Sequence, residues 1–163
     1  MLSADYRQLE MRVLAHLSED AKLISLLQKE GDFFQTVTDA WNASSAVLNE
    51  VDRNKVKQLC YGILYGMGAA SLAKQLSMEK HEAQQLISSF FQQFPKVRAW
   101  IDKTLKACHQ DGFVCTLLGR RRYLACITSE LQTERAQAER QAVNFCIQVD
   151  LHSGVLCLIT ELR

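Results

Sequence analysis

Proline appears once, at position 95, and no apolar run approaches the roughly eighteen residues that a membrane-spanning helix needs. The first absence excludes a proline-rich linker; the second argues against a transmembrane segment. The start, Met1 to Glu10, lacks the basic-then-apolar layout of a secretion signal, which reads as a soluble, intracellular chain. No two cysteines stand in CxxC spacing and there are only four histidines, so no structural zinc site is expected. The six cysteines, at 60, 108, 115, 126, 146 and 157, read as buried reduced thiols, because a chain this long and apolar does not need disulfide staples. A strong charge of one sign is missing too. The net charge is +1 and the pI about 7.6, so bulk charge alone does not point to nucleic acid. There is no internal repeat and no low-complexity segment.

What is present is a chain of 163 residues, 48% hydrophobic and 23% charged, the profile of one globular unit able to bury a core. Its charge is unevenly spread. In residues 1 to 50 four bases face eight acids, whereas from Lys96 to Arg122 seven bases face only Asp102 and Asp111. An anionic partner is therefore expected on the middle and later chain.

Apolar spacing predicts mostly helices. Leu2 to Asp5 leads like a strand into a helical pattern at Leu9, Val13, Leu14 and Leu17. Ser18 reads as the N-cap of a second helix stopped by Gly31, and Asp32 to Gln35 as a capping box opening a third helix through Trp41, with Asn42 to Ser45 as a loop. Val56, Leu59, Cys60, Ile63 and Met67 mark one face of a long helix from Asp52 to about Met67. Further helices are expected over 69–77, 79–94 and 95–110, the last opening on Pro95 and closing before Gly112. Phe113 to Leu117 and Tyr123 to Ile127 read as strands flanking a turn at Leu118-Gly119-Arg120-Arg121, and Glu130 to Gln148 returns to helix.

Three groups carry chemistry. Asp5 and Glu10 stand at the mouth of the first strand, where an acid is placed to hold a divalent cation; taken by themselves, the plainer reading is solvated helix-entry acids. Arg53, Lys57, Tyr61 and Tyr65 recur every four residues and so form one oblique stripe beside the apolar face. Two cations followed by two aromatics suit a nucleoside triphosphate, with Arg and Lys on phosphate oxygens and a ring against the base. The plainer reading is a basic flank with two tyrosines packed on a neighbour. Gly66 and Gly68 then form a C-cap, and no P-loop ending follows. Gly119-Arg120-Arg121-Arg122 concentrates three guanidiniums at a turn, either to grip a phosphate backbone or simply as a solvated loop.

The order and spacing of these groups are not generic. Asp5-Tyr6-Arg7-Gln8-Leu9-Glu10-Met11-Arg12-Val13-Leu14-Ala15-His16-Leu17-Ser18 resembles motif A of family A DNA polymerases, and Arg53, Lys57, Tyr61 and Tyr65-Gly66 resemble the R-x3-K-x7-Y-G pattern of motif B. Phe94-Pro95-Lys96-Val97, Gly119 to Tyr123 and Ala138-Glu139-Arg140-Gln141-Ala142-Val143-Asn144 resemble later segments of the same family in the right order. The resemblance covers residues 2 to 148, and Cys60-Tyr61-Gly62 with Arg135 to Phe145 look most like its eukaryotic theta and nu branch.

The resemblance implies a mainly α fold with a few β-strands (α+β), part of a polymerase palm plus a helical fingers subdomain. Residues 1–18 and 113–148 would be palm, 19–112 fingers and 149–163 a divergent tail. It implies a DNA-directed DNA polymerase using two Mg²⁺ ions, with primer-template DNA and deoxynucleoside triphosphates as partners and the nucleus as its place in a eukaryote, the cytoplasm otherwise. Asp5 and the backbone carbonyl of Tyr6 would hold metal. Gln8 and Glu10 would meet the incoming nucleotide, Glu10 as the steric gate of the sugar pocket. Arg53 and Lys57 would hold the triphosphate, with Lys57 as a proton donor to pyrophosphate. Tyr61 would stack on the nucleotide, and Tyr65 beside Gly66 would guard the templating position. Arg120, Arg121 and Arg122 would bind DNA, and Arg140, Asn144 and Gln148 would line the minor groove.

The pattern departs after Gln148. Val149-Asp150-Leu151-His152-Ser153-Gly154 replaces the expected Gly-Ser/Thr-Ala-Ala-Asp, and the His-Asp-Glu of motif C, which carries the second metal carboxylate, is absent. An alternative transcript and a misjoined exon would both produce such a tail. The expectation is a chain inactive or nearly so by itself; the alternative is an inactive product that still binds nucleotide or DNA.

Overall fold

The structure is a computed structural model that describes residues 8–44 and 51–152. Eight α-helices and one two-stranded ribbon are seen among them: α1 Leu9–Ser18, α2 Ala21–Leu27, α3 Phe33–Ser44, α4 Arg53–Leu64, α5 Ala69–Leu76, α6 Lys80–Gln93, α7 Pro95–Asp111, β1 Phe113–Cys115, β2 Arg121–Tyr123 and α8 Gln132–His152. The expected mainly α fold with a little β is thus the observed one. No helix among the described residues is long and apolar enough to cross a membrane.

The helix ends follow ordinary capping chemistry, with four corrections. Ser18 is the last residue of α1 and bonds back to the Ala15 carbonyl; the cap of α2 is Asp20, whose carboxylate accepts from Leu23 N–H at 3.1 Å. Glu19 takes the left-handed conformation (φ 51°) that ends α1, so the chain turns one residue later than Ser18 suggests. Helix α2 stops at Leu27, before Gly31, whose φ of 109° serves the connecting turn. Asp32 accepts from Gln35 N–H at 3.0 Å, but the Gln35 side chain bonds Asp39, so only half of the capping box forms. The expected loop at Asn42 belongs to α3, and its amide bonds both the N–H and the carbonyl of Val51. Pro95 at the first turn of α7 and Gly112 at its end (φ 75°) stand where expected.

The hairpin is displaced. Phe113 pairs with Tyr123 and Cys115 with Arg121, so β2 begins earlier than the β-rich run and the turn is Thr116 to Arg120, with Gly119 at φ 76°. Ala125–Thr128, expected as strand, is a 3₁₀ turn that buries Ile127. Among the described residues the sheet has these two strands, and the chain leaves it to join α8.

Two apolar clusters organise the packing. The larger holds α1 to α7 around Trp41, Phe90, Phe94, Leu59 and Val56. Phe90 meets Phe94 at 4.9 Å and Trp41 at 6.4 Å between ring centroids, contacts worth about 0.5–1.5 kcal/mol each beyond the area buried. The smaller sets Cys108, Val114, Leu124 and Ile127 against α8. Helix α8 serves both: Val143 and Ile147 enter the large cluster, while Ala138, Ala142 and Cys146 face the small one.

Cys60 and Cys108 are buried free thiols and Cys146 is buried, but Cys115 and Cys126 are exposed, because they lie on the short ribbon and the turn after it; Cys157 lies outside the described residues. Burial pushes the Cys60 thiol up to about 12, which makes it inert at neutral pH. Burial, and then Asp111 and Glu139, also raise Cys108.

Asp20 ties distant parts together. Its second oxygen accepts from Lys96 N–H at 3.2 Å, so one buried carboxylate caps both α2 and the first turn of α7. Asp20→Ala is expected to lower unfolding free energy by about 2 kcal/mol in urea titration, and Asp20→Asn by less, because the amide oxygen retains one cap.

Candidate functional site

The α4 stripe begins directly after its cap, Asp52, which accepts from Lys55 N–H at 2.9 Å. Val56, Leu59, Cys60 and Ile63 are buried, while Met67, expected on the same face, lies past the end of the helix and is half-buried. That leaves Arg53, Lys57, Tyr61 and Tyr65 along the other side, as the four-residue spacing predicts. The Tyr61 and Tyr65 rings stack with centroids 6.3 Å apart and 16° between planes. Lys57 is exposed and Tyr65 borderline exposed, whereas Arg53 and Tyr61 are half-buried.

The half-burial has a cause on α3 that sequence reasoning missed. Phe34 lies 5.8 Å from the Tyr61 ring, and the Arg53 guanidinium stands 5.9 Å over the same Phe34 ring. Asp32 then accepts from Arg53 through Nε at 3.1 Å and Nη2 at 2.5 Å. Part of the plainer reading is therefore met: Tyr61 does pack on a neighbour. The Arg53 side chain holds the Asp32 carboxyl below the ordinary aspartate range, with the Gln35 N–H adding to the effect.

At the start of α1, Gln8 adopts a left-handed conformation (φ 46°) and Glu10 lies in the first helical turn, both half-buried. Asp5 and Tyr6 lie outside the described residues. Helix α1 packs on α4, α7 and α8, which brings Glu10's helix against both helices that carry the other candidate residues.

The end of α4 meets α8. Gly66 has φ +64°, and a Cβ built there would stand 2.7 Å from Arg140 Cγ and 3.3 Å from its Cα. Glycine is thus required twice, for conformation and for close approach. Beside it opens a cavity of about 360 Å³ lined by Gly66, Met67, Phe91, Arg98, Glu139 and Arg140 among others. Arg140, Asn144 and Gln148 follow at four-residue steps along α8; Arg140 and Gln148 are exposed. Asn144 Oδ1 is buried without a hydrogen-bond partner among the described residues.

The basic ribbon lies against the adjoining stripe of α8. Arg122 Nη2 donates to Gln141 Oε1 at 3.3 Å, and its guanidinium sits 5.6 Å over Phe145. Arg121 instead covers Phe113 at 4.9 Å, and Arg120 is exposed with its N–H on Thr116 Oγ1. The three arginines therefore do not form one cluster at a turn. Two belong to a strand, whose successive side chains alternate faces, and only Arg122 joins the α8 surface. His109 and Glu139, 3.0 Å apart, add a link between α7 and α8.

Residues 1–150 match the family model described as DNA polymerase family A, and the chain belongs to that family. Among curated relatives it is 43% identical over 150 residues to DNA polymerase theta of Mus musculus, covering 91% of this chain and 6% of that protein. It is 42% identical over 150 residues to the thermostable DNA polymerase I of Thermus aquaticus, covering 91% of this chain and 18% of that one. A solved structure, the POL domain of Pol1 from M. smegmatis in complex with DNA primer-template and dNTP, superposes with a TM-score of 0.78 at 33% identity, over 94% of this chain and 29% of that chain. The chain thus spans less than a fifth of the length of either curated relative.

Two measurements follow. Gly66→Ala is expected to cost about 1–2 kcal/mol in denaturant unfolding, through a left-handed φ and the Arg140 contact. Asp32, depressed by its partner, should stay ionised as pH falls through the ordinary carboxylate range and release Arg53 only below it. Its ¹³C carboxyl titration midpoint should therefore rise in Arg53→Ala.

Proposed function

We propose that this chain supplies the nucleotide-binding and primer-template-contacting part of a DNA-directed DNA polymerase, with residues 19–112 as fingers and 1–18 and 113–148 as palm. The observation that carries the reading is the α4 stripe: two cations and two stacked tyrosines on one side of a helix whose last turn abuts the Arg140 face of α8.

In this reading Lys57 and Arg53 neutralise the triphosphate of the incoming nucleotide. Tyr61, already stacked, presents its ring to the base and sugar, and Tyr65 holds the templating position until a pair forms. Gln8 and Glu10 border the sugar, and Glu10 rejects a 2′-hydroxyl by clash and desolvation. Lys57 is near enough in role to donate a proton to departing pyrophosphate. Arg140, Asn144 and Gln148 meet minor-groove acceptors common to all base pairs through their N–H groups, which checks shape without reading sequence. Arg122, held by Gln141 and Phe145, and exposed Arg120 take phosphates of the duplex, with Arg121 on the opposite face of the ribbon.

The donor set at Asp5, a carboxylate and the neighbouring Tyr6 carbonyl, is hard oxygen and suits Mg²⁺. Two Mg²⁺ ions, when bound, supply activation of the primer hydroxyl and charge neutralisation at pyrophosphate. One carboxylate does not make that site, and these 163 residues contain no His-Asp-Glu segment. We therefore read the chain alone as a nucleotide- and DNA-binding unit that does not polymerise, and the likeness to theta polymerases supports a nuclear setting.

The test is primer extension by the 163-residue chain with Mg²⁺, alone and fused to a segment carrying His-Asp-Glu, with DNA affinity followed against salt. Expected are no extension alone, extension in the fusion that Asp5→Ala abolishes, and a log affinity that falls linearly with log salt. Fusion without extension, or salt-independent binding, contradicts the proposal.

A further inference from the structure

The Arg53 side chain is engaged on two sides by α3. Its Nε and Nη2 edge is spent on a single oxygen of Asp32, at 3.1 and 2.5 Å, and one face of the guanidinium lies over Phe34 at 5.9 Å. That edge is one of the two through which a guanidinium grips an oxyanion bidentately. The Asp32 carboxylate is itself well anchored, because its other oxygen accepts the Gln35 N–H at the start of α3. A carboxylate fixed by a helix N-terminus thus stands where a phosphate oxygen would stand. Lys57, the other cation of the stripe, is exposed one turn further on.

We propose that Asp32 is a built-in competitor of the nucleotide: it occupies Arg53 until a phosphate group of higher charge takes its place, and so sets the affinity of the stripe for triphosphates. Phe34 positions the released guanidinium by staying beneath it, and through its contact with Tyr61 keeps the cation and the aromatic in register. Asp32 touches neither substrate nor metal in this scheme; it is a positioning and affinity-setting residue. The inference rests on the proposed role of Arg53 in holding a triphosphate. It differs from a purely structural role for the ion pair in the direction of its effect: a salt bridge that merely pre-orients Arg53 would help binding, whereas a competitor hinders it.

The experiment measures binding of inorganic tripolyphosphate and of dATP, without divalent metal, to the full chain by calorimetry. Asp32→Asn keeps an oxygen for the Gln35 N–H, and asparagine caps helices as well as aspartate, so α3 is retained. Asp32→Ser, also a capping residue, serves if the first variant folds poorly. Both are expected to bind tripolyphosphate and dATP about fivefold more tightly than wild type, the scale of one partly exposed ion pair. In an Arg53→Ala background the same substitution should have no effect, which separates competition at Arg53 from a general loss of negative charge. Binding that Lys57→Ala weakens but Asp32→Asn leaves unchanged or weakens would overturn the competitor and leave the triphosphate site standing. A gain that persists without Arg53 would overturn it as well. If no variant binds either ligand, both the competitor and the nucleotide reading of the stripe fall.

Discussion

Burial of α8 on two sides is the constraint on which the arrangement depends. Val143 and Ile147 complete the large cluster while Ala138, Ala142 and Cys146 close the small one, so the helix cannot rotate to favour one without opening the other. The side chains it buries in the small cluster, Ala138, Ala142 and Cys146, are small, which lets Val114 and Ile127 approach closely. The polar residues take what is left of the circumference, and those are Arg140, Gln141, Asn144 and Gln148. Apolar packing of the helix sets the directions in which they leave it.

The same rotation fixes Arg140 against Gly66. A helix end without a Cβ and a helix held at one angle meet at van der Waals distance, and this joins the α4 stripe to the α8 surface. From that junction the stacked tyrosines run back along α4 toward Lys57 and Arg53, and the ribbon's Arg122 lies on the next stripe of α8. Family membership accounts for the order of these parts along the chain. The packing accounts for their meeting in space.

Much of this was legible in sequence where periodicity is long. Helix α4 announced itself by Val56, Leu59, Cys60 and Ile63, and the stripe by a strict four-residue step that only a helix makes contiguous. Pro95 and Gly112 bounded α7 because each has a conformational reason to stand there. The rest was illegible for physical reasons. A strand of three residues carries almost no period, so Arg121 and Arg122 looked like turn when they are strand. Asp32 looked like a cap and is one; that its second oxygen faces Arg53 depends on how α3 lies on α4, which no local pattern encodes. Phe34 was for the same reason only another apolar residue of α3. Asp5 and Tyr6 lie outside the described residues, and the thiols at 115 and 126 were expected inside because a chain this long and apolar does not need disulfide staples.

The double cap at Asp20 has a topological consequence. Residues 20 and 96 are joined through one carboxylate, so the start of α2 and the start of α7 are held together and the helices α2 to α6 run between two tied ends. The chain between them is a closed excursion, and Asp20 is one of the contacts that hold its ends together. Segments with adjoining ends are those that tolerate excision, insertion and circular permutation. The α4 stripe is therefore carried on an excursion of helices whose two ends adjoin at Asp20.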